Sequence, residues 1–262
     1  MNRIEETFVR LKGEGRAAVM PYLPLGYPTI ETSQQLIRAA VEAGADLIEL
    51  GIPFSDPLAD GPVIQHATQI ALENGMTLAQ CLDMVRQARA DGVSIPLTLM
   101  GYYNPILRYG LARFAGDAQT AGADGVIVPD LPPEEAGELK QACDRCGLHL
   151  IFLAAPTSTD ERLNKIAQAT SGFLYLVSLV GVTGAREALP SALAQFIQRT
   201  RAVTGKPLGV GFGIANAESA RRVADLADGV IVGSALVARI ADPATAVAQA
   251  HAFIAELRGA VE

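Results

Sequence analysis

Glu49 is a carboxylic acid in a setting that favours proton transfer. In the run ADLIELGI (45–52), alternate residues of a strand face opposite ways, so the apolar even-numbered residues share one face and Leu47, Glu49 and Gly51 share the other. A buried carboxyl group without a cation has its charged form disfavoured, which raises its pKa toward the range useful for acid–base catalysis. Pairing with a buried cation is the alternative, but the neighbouring predicted strands end without Lys or Arg.

Asp60 follows eleven positions later, in the segment GIPFSDPLADGPVIQ (51–65). This segment is long for a connection between a strand and a helix, and such loops usually serve a site. Asp60 could fold back over the strand end and supply a second carboxylate beside Glu49. The alternative for Asp60 is a helix cap or an Asx turn, and Asp56 is expected at the surface.

Three glycine clusters follow late apolar runs, at 181–184, 211–214 and 233–234. Glycines at the start of a helix expose backbone N–H groups that can bind a phosphate dianion. Each cluster alone is compatible with simple turn chemistry, but three in succession predict a phosphate site. No G-x-x-x-x-G-K-[ST] motif is present, so a nucleoside triphosphate is not indicated.

Apolar and aromatic side chains at the ends of predicted strands could line a slot for a flat ring. Core packing is the alternative for the aliphatic ones. The residues are Met100, Tyr102, Ile127, Leu153, Tyr175 and Phe212.

The elements that position these residues alternate between short apolar runs and amphipathic segments with apolar residues three or four apart. AGAD occurs at 43–46 and 121–124 and ADGVIV at 123–128 and 227–232, which we interpret as a repeated strand–helix unit, and TGKP (204–207) is expected as a turn from a helix to a strand. Eight strand–helix units predict an α/β fold, a single-domain (β/α)8 TIM barrel over 1–262 with an extra N-terminal helix at about 2–12. A final helix is expected from Asp242, and a doubly wound open sheet is the structural alternative. The predicted strands are 17–23, 45–52, 95–102, 124–130, 148–154, 172–178, 206–212 and 228–234.

Composition excludes several classes of function. The chain has 262 residues, a formal net charge of −7 and no run of Lys and Arg, which argues against nucleic acid as a partner. Neither a signal peptide nor an apolar run long enough to span a bilayer is visible, so we expect a cytoplasmic protein without a membrane partner. Cys143 and Cys146 form a C-x-x-C, which we interpret as two thiols at a helix end rather than a zinc or redox site.

At this point the motifs resemble those of the tryptophan synthase alpha subunit family, from the first strand to the last. The run at 49–65 is the most specific part of the match, because other phosphate-binding barrels share the glycine clusters but not this carboxylate-bearing segment. The motifs are ELGIPFSDPLADGPVIQ (49–65), MGYYNP (100–105), VPDLPPEE (128–135), APTST (155–159), GVTGAR (181–186) and GFGI (211–214).

The resemblance implies cleavage of indole-3-glycerol phosphate to indole and D-glyceraldehyde 3-phosphate. By position, Glu49 would be the general acid and base that protonates indole C3, and Asp60 would accept a hydrogen bond from the indole N–H. Thr183 would orient Asp60 when its loop closes. Tyr22, where some members carry Phe, and the apolar slot would contact the substrate. The phosphate would be held by Gly184, Gly211, Gly213, Gly233 and Ser234.

The resemblance also implies an alpha2-beta2 assembly with a tryptophan synthase beta subunit, which would receive the indole. Pyridoxal phosphate is expected only in that partner, and no cofactor or metal is expected here. The partner would contact the loops that contain Pro53, Asp56, Asn104 and Pro105. Two alternatives remain: another barrel enzyme acting on a sugar phosphate, and a non-catalytic or regulatory subunit that binds phosphate. A buried carboxyl group argues against the second, because it is costly unless neutralised or paired.

Overall fold

The computed structural model describes residues 1–177, 189–211 and 213–262, and their strands form one parallel sheet closed into a barrel. Each strand pairs with the next along the chain except β5 and β6, and β1 pairs with β9, so the first and last strands meet. The strands are β1 (Ala18–Pro24), β2 (Ile48–Gly51), β3 (Leu97–Met100), β4 (Gly125–Ile127), β5 (His149–Ile151), β6 (Leu153–Ala154), β7 (Leu174–Val177), β8 (Leu208–Gly211) and β9 (Gly229–Val232).

β5 and β6 together occupy one strand position of the barrel. β5 pairs with β4 and β6 pairs with β7, and only Phe152 lies between them. The Phe152 N–H leaves the ladder and donates to the Thr170 hydroxyl at 2.8 Å. The eight strand positions of the prediction are therefore confirmed, with one strand interrupted where its backbone bonds to the following loop.

Helices cover the outside of the barrel and close its N-terminal end. In the described residues they are α1 (Arg3–Glu14), α2 (Ile30–Glu42), α3 (Pro62–Glu73), α4 (Leu78–Ala90), α5 (Tyr103–Tyr109), α6 (Leu111–Ala121), α7 (Gly137–Arg145), α8 (Asp160–Ala169), α9 (Leu189–Arg201), α10 (Ala217–Ala224), α11 (Ser234–Arg239) and α12 (Ala246–Ala260). The last helix begins four residues later than predicted, because the Asp242 carboxylate accepts the Ala244 N–H at 3.0 Å and makes a turn first.

The core has two layers that follow the strand alternation. Ile48 and Leu50 pack outward in the large cluster beneath the helices, while Leu47 packs inward in the barrel lumen. α1 fills the bottom of the lumen with Ile4, Phe8 and Leu11, which belong to the same inner cluster. This confirms the extra N-terminal helix and shows what it does: it closes the end of the barrel opposite the strand C-termini.

Aspartates at the starts of three strands join each strand to its neighbour. Asp46, Asp124 and Asp228 accept the backbone N–H groups of Val19, Leu97 and Leu208 at 3.0, 2.9 and 2.7 Å, and each donates its own N–H to the carbonyl of the same residue. Each carboxylate also pairs with at least one arginine: Arg10 and Arg16, Arg3 and Arg89, and Arg201, respectively. The repeated AGAD and ADG motifs of the sequence are therefore structural.

The C-x-x-C motif is part of α7 and its end. Cys143 is buried, and burial raises the pKa of its thiol to about 12, which disfavours the thiolate needed for metal binding or redox chemistry. Within the described ranges, no group of three or more His, Cys, Asp or Glu side chains is arranged to hold a metal ion. Over the same ranges, no helix is both long and apolar enough to cross a membrane.

Candidate active site

Glu49 is enclosed in the lumen at the centre of β2. None of its surface is exposed, and neither carboxyl oxygen has a hydrogen-bond partner among the described residues. Its neighbours in the sheet register are Tyr22 of β1 and Thr98 of β3, and the Thr98 hydroxyl donates to the Ile48 carbonyl instead. Burial raises the pKa of Glu49 well above its usual range. The site therefore holds a carboxyl group whose protonated form is favoured by burial.

Asp60 lies in the loop between β2 and α3, on the wall of a cleft at the strand C-termini. The Tyr102 hydroxyl donates to Asp60 Oδ2 at 3.0 Å and accepts the Ala59 N–H at 2.9 Å, which fixes the loop over the strand end. Burial raises the pKa of Asp60, while the Tyr102 hydrogen bond acts in the opposite direction. α3 is preceded by Gly61 and has no side-chain cap, so the capping alternative for Asp60 is wrong.

Two tyrosines cross the lumen because glycines on the adjacent strands leave room for them. A Cβ at Gly51 would lie 2.2 Å from the Tyr22 hydroxyl oxygen, and a Cβ at Gly211 would lie 2.6 Å from the Tyr175 hydroxyl oxygen. Burial is the largest cause that raises the pKa of the Tyr22 and Tyr175 phenols. The negative charges of Asp60 and Glu49 raise both pKa values further. Tyr22 is opposite Glu49 in the β1–β2 register and lines the same cleft as Asp60.

The aliphatic residues of the predicted slot also face the lumen. Ile127 is buried in the inner cluster, and Met100 and Leu153 pack against that cluster while remaining partly exposed. Met100, Tyr22, Tyr102 and Asp60 line a common narrow cleft. The structure thus brings the slot and the second carboxyl group to one place.

The residues predicted to bind phosphate lie at the ends of β8 and β9. Gly233 precedes α11, and Ser234 is its first residue, exposed at the strand-end face. Gly213 is exposed in the segment after β8, whereas Gly211 is within β8 and contacts the Tyr175 ring. Thr183, Gly184 and Phe212 lie outside the described residues.

The predicted interface residues lie in the segment between β2 and α3, which contains Pro53 and Asp56, and at the start of α5, which contains Asn104 and Pro105. Pro53 and Pro105 are half-buried, and Asp56 and Asn104 are exposed, which confirms the surface position expected for Asp56. The structure adds two apolar residues that the sequence did not single out: Leu58 is 92% exposed and Leu107 is 49% exposed. Single exposed apolar residues are common on protein surfaces, so these two do not by themselves mark an interface.

Neither the hydrogen bond of Tyr102 nor the role of Gly51 was predicted from the sequence. Tyr102 was assigned to the substrate slot, yet its hydroxyl is bonded to Asp60, 42 positions away. Gly51 was noted only as facing the lumen. The signal that could have identified it is the pairing of a lumen-facing aromatic residue with a glycine on the adjacent strand.

Comparison with known proteins extends over nearly the whole chain. Residues 8–262 match the family model described as tryptophan synthase alpha chain. The chain is 54% identical to the tryptophan synthase alpha chain of Chloroflexus aggregans over 264 residues, which covers 100% of this chain and 99% of that protein. It is 53% identical to the alpha chain of a Roseiflexus species, covering 99% and 100% of the two chains.

Comparison with solved structures identifies the same family. The tryptophan synthase subunit alpha of Legionella pneumophila is 42% identical with a TM-score of 0.92, covering 100% of this chain and 98% of that one. A chain of Mycobacterium tuberculosis tryptophan synthase is 41% identical with a TM-score of 0.91, covering 99% and 98%. Identity at this level over the full length, on a barrel with this carboxylate-bearing lumen, shows that the chain belongs to the tryptophan synthase alpha chain family, whose reaction is the cleavage of indole-3-glycerol phosphate to indole and D-glyceraldehyde 3-phosphate.

Proposed function

We propose that Glu49 and Asp60 carry the lyase reaction of this family, Glu49 as general acid and base and Asp60 as the acceptor of the indole N–H. The observation on which the proposal rests is the difference between the two carboxyl environments. Glu49 is fully buried and has no hydrogen-bond partner among the residues that the structure describes, and Asp60 is held by a hydroxyl donor at the cleft wall. Two carboxyl groups in different environments can take different protonation roles.

The chemistry follows from those roles. Glu49 delivers its proton to indole C3 while the ring nitrogen lone pair forms a C=N bond, and Asp60 stabilises the positive N–H that results. Glu49, now ionised, then removes the proton from the hydroxyl of the attached side-chain carbon. The O–H electrons form the aldehyde C=O, and the electrons of the broken C–C bond restore the indole ring. Glu49 ends protonated, as it began, and each positioned proton transfer contributes roughly 10²- to 10⁴-fold to the rate.

The remaining residues of the site bind the substrate. We propose that a set of apolar and aromatic side chains encloses the indole ring: Tyr22, Met100, Tyr102, Ile127, Leu153 and Tyr175, together with Phe212, which lies outside the described residues. The backbone N–H groups near Gly184, Gly211, Gly213, Gly233 and Ser234 would hold the phosphate, as glycine-rich loops after the last strands of barrels commonly do. Thr183 would close over the site and orient Asp60.

The partner that we infer is a tryptophan synthase beta chain in an alpha2-beta2 assembly, since the relatives are named as alpha chains. Pro53, Asp56, Asn104 and Pro105 would contact it, together with the exposed Leu58 of the segment between β2 and α3 and the exposed Leu107 of α5. Pyridoxal phosphate would belong to that partner, and this chain would use no cofactor. We place the assembly in the cytoplasm.

The test is indole release from indole-3-glycerol phosphate by the purified chain, with and without a cognate beta chain. Wild-type protein is expected to release indole and Glu49→Gln to release almost none, while both bind a non-cleavable substrate analogue. Full activity of Glu49→Gln would overturn the assignment of Glu49. Absence of indole from folded wild-type protein with its beta chain present would overturn the assigned site altogether.

A further inference from the structure

A cavity of about 600 Å³ lies at the end of the barrel that α1 closes, opposite the carboxyl groups. Its walls come from α1 and the segment before β1, the segment between α9 and β8, α10 and the segment before β9, and the end of α12. A cavity of this volume accommodates a small organic molecule. We call it the basal cavity, and its lining includes Phe8, Leu11, Lys12, Arg16, Arg201 and Arg221.

The floor of the basal cavity is apolar. Phe8 and Leu11 of α1 are buried side chains of the inner cluster, and they line the cavity from the side of the lumen. Val261 is buried and Pro207 is half-buried on the adjoining walls. A surface of this kind favours the apolar body of a ligand, because contact removes both from water.

Two arginines of the wall are already neutralised. Arg16 pairs with Glu14 and Asp46, and Arg201 pairs with Asp228. The carboxylates of Asp46 and Asp228 also hold backbone N–H groups at strand starts. These two arginines therefore serve the barrel itself and are not available to a ligand.

Two other cations of the wall have no countercharge among the described residues. The Lys12 ammonium makes no hydrogen bond or ion pair in those ranges. Arg221 Nε donates to the Ala260 carbonyl at the end of α12 at 3.3 Å, while its two terminal amino groups bond to no described residue. The bond to Ala260 anchors the guanidinium and leaves its outer edge free, and that edge can hold a carboxylate through two parallel hydrogen bonds.

Acidic residues on the wall do not cancel both cations. Glu262 pairs with Arg258 at 3.1 Å, and Asp225 is exposed without a side-chain bond to a described residue. The unpaired groups of the described lining are therefore two positive and one negative. That balance leaves one positive charge, which suits a carboxylate better than a phosphate dianion.

We propose that the basal cavity binds a small amphipathic carboxylate, whose anionic group pairs with Arg221 and Lys12 and whose apolar body covers Phe8 and Leu11. The site is separate from the one that carries the lyase reaction, and binding there does not depend on that reaction. Both parts of the ligand are needed. An exposed ion pair alone is weak and is screened by salt, and the apolar floor supplies the remaining affinity.

The test is an NMR titration of the full ¹⁵N-labelled chain with 4-phenylbutyrate. The backbone N–H resonances of Gly15 and Gly205, which line the basal cavity, are expected to shift with a common affinity. Gly233, at the strand C-termini, is the reference for the other end of the barrel. Two further probes lack one half of the proposed ligand: 4-phenyl-1-butanol has no charge, and inorganic phosphate has no apolar body. Each should bind at least about 10-fold more weakly.

Variants of α10 and its end separate charge from shape. Arg221→Gln should weaken 4-phenylbutyrate about 10-fold, because it removes hydrogen bonds to a charged group. Asp225→Asn should strengthen binding about 2- to 5-fold, because it removes an opposing charge from the wall. Arg222→Gln is the matched control, since Arg222 is the next residue, pairs with Glu218 at 2.9 Å and lies outside the cavity lining.

Three results would overturn the proposal: equal affinity of wild type and Arg221→Gln, equal affinity for the carboxylate and the alcohol, or shifts at Gly233 without shifts at Gly15 and Gly205. Arg221 and Asp225 are exposed, so their variants are expected to keep the wild-type fold, which the same spectra check. The titration involves no turnover, and its failure is therefore distinct from failure of the lyase assignment.

Discussion

At the scale of single residues, Glu49 combines full burial with the absence of a hydrogen-bond partner in the described part of the chain. Glu49→Gln keeps the shape and removes the transferable proton, so kcat should fall by roughly 10²- to 10⁴-fold while binding of a substrate analogue stays within a few-fold. Steady-state indole release and calorimetric binding measure the two effects. Equal losses in kcat and in binding would instead indicate a structural role for Glu49.

The same carboxyl group should reduce stability at neutral pH. Burial raises its pKa in the folded state, so between the unfolded and folded pKa values the folded protein binds one more proton than the unfolded chain. The free energy of unfolding therefore falls as pH rises through that interval. Glu49→Gln removes this dependence, and we expect the variant to be more stable than wild type at pH 8 and little different at pH 4. Urea unfolding at the two pH values checks this, and a variant less stable at pH 8 would contradict it.

The orientation of Glu49 was predictable from the sequence, because alternation in one strand is a local property. The hydrogen bond between Tyr102 and Asp60 was not, because it depends on how a loop folds over the next strand. The contact of Tyr22 with Gly51 joins two strands in a register that neither strand specifies alone. Side chains that meet only through tertiary structure could therefore be predicted as a group at the strand ends, but their individual contacts could not.

At the scale of elements, the strand-start aspartates should contribute to stability in proportion to their burial. The Asp124 side chain is 3% exposed and pairs with the largely buried Arg89, whereas the Asp228 side chain is 40% exposed. Asp124→Asn should cost about 3 kcal/mol, because it leaves a buried guanidinium without its countercharge. Asp228→Asn should cost about 1 kcal/mol or less. Urea unfolding of both variants tests the ranking, and equal losses would show that burial does not decide it.

The element prediction succeeded where periodicity is a local signal. All eight strand runs contain observed strands, and the turn at 204–207 between α9 and β8 is present. The interruption at Phe152 was missed, because it depends on a hydroxyl from Thr170. The repeated AGAD and ADG motifs were interpreted as a repeated unit, but their function in joining neighbouring strands required the tertiary contacts. The repetition in the sequence marked these positions, and the tertiary contacts show that their aspartates join neighbouring strands.

At the scale of the whole molecule, the two ends of the barrel differ in character. The strand C-termini carry the carboxyl groups, the cleft and the exposed Leu58, while the opposite end is closed by α1 and the arginine–aspartate pairs. Stability and chemistry are thus placed on separate faces, as is usual for barrel enzymes. Changes at the closed end should affect unfolding without altering the intrinsic reaction.

This separation predicts where a beta chain binds. Leu58 is 92% exposed beside the cleft, and Val9 is 65% exposed on α1 at the closed end. Leu58→Asp should weaken the affinity for a cognate beta chain at least about 10-fold, because burying an unpaired carboxylate at an interface is costly. Val9→Asp, the matched control, should leave it unchanged.

Both positions are open to solvent, so neither change should alter folding or indole release by the isolated chain. Titration of alpha-chain activity with beta chain gives the affinities. If Val9→Asp binds the beta chain more weakly and Leu58→Asp binds it with unchanged affinity, the interface lies at the closed end instead.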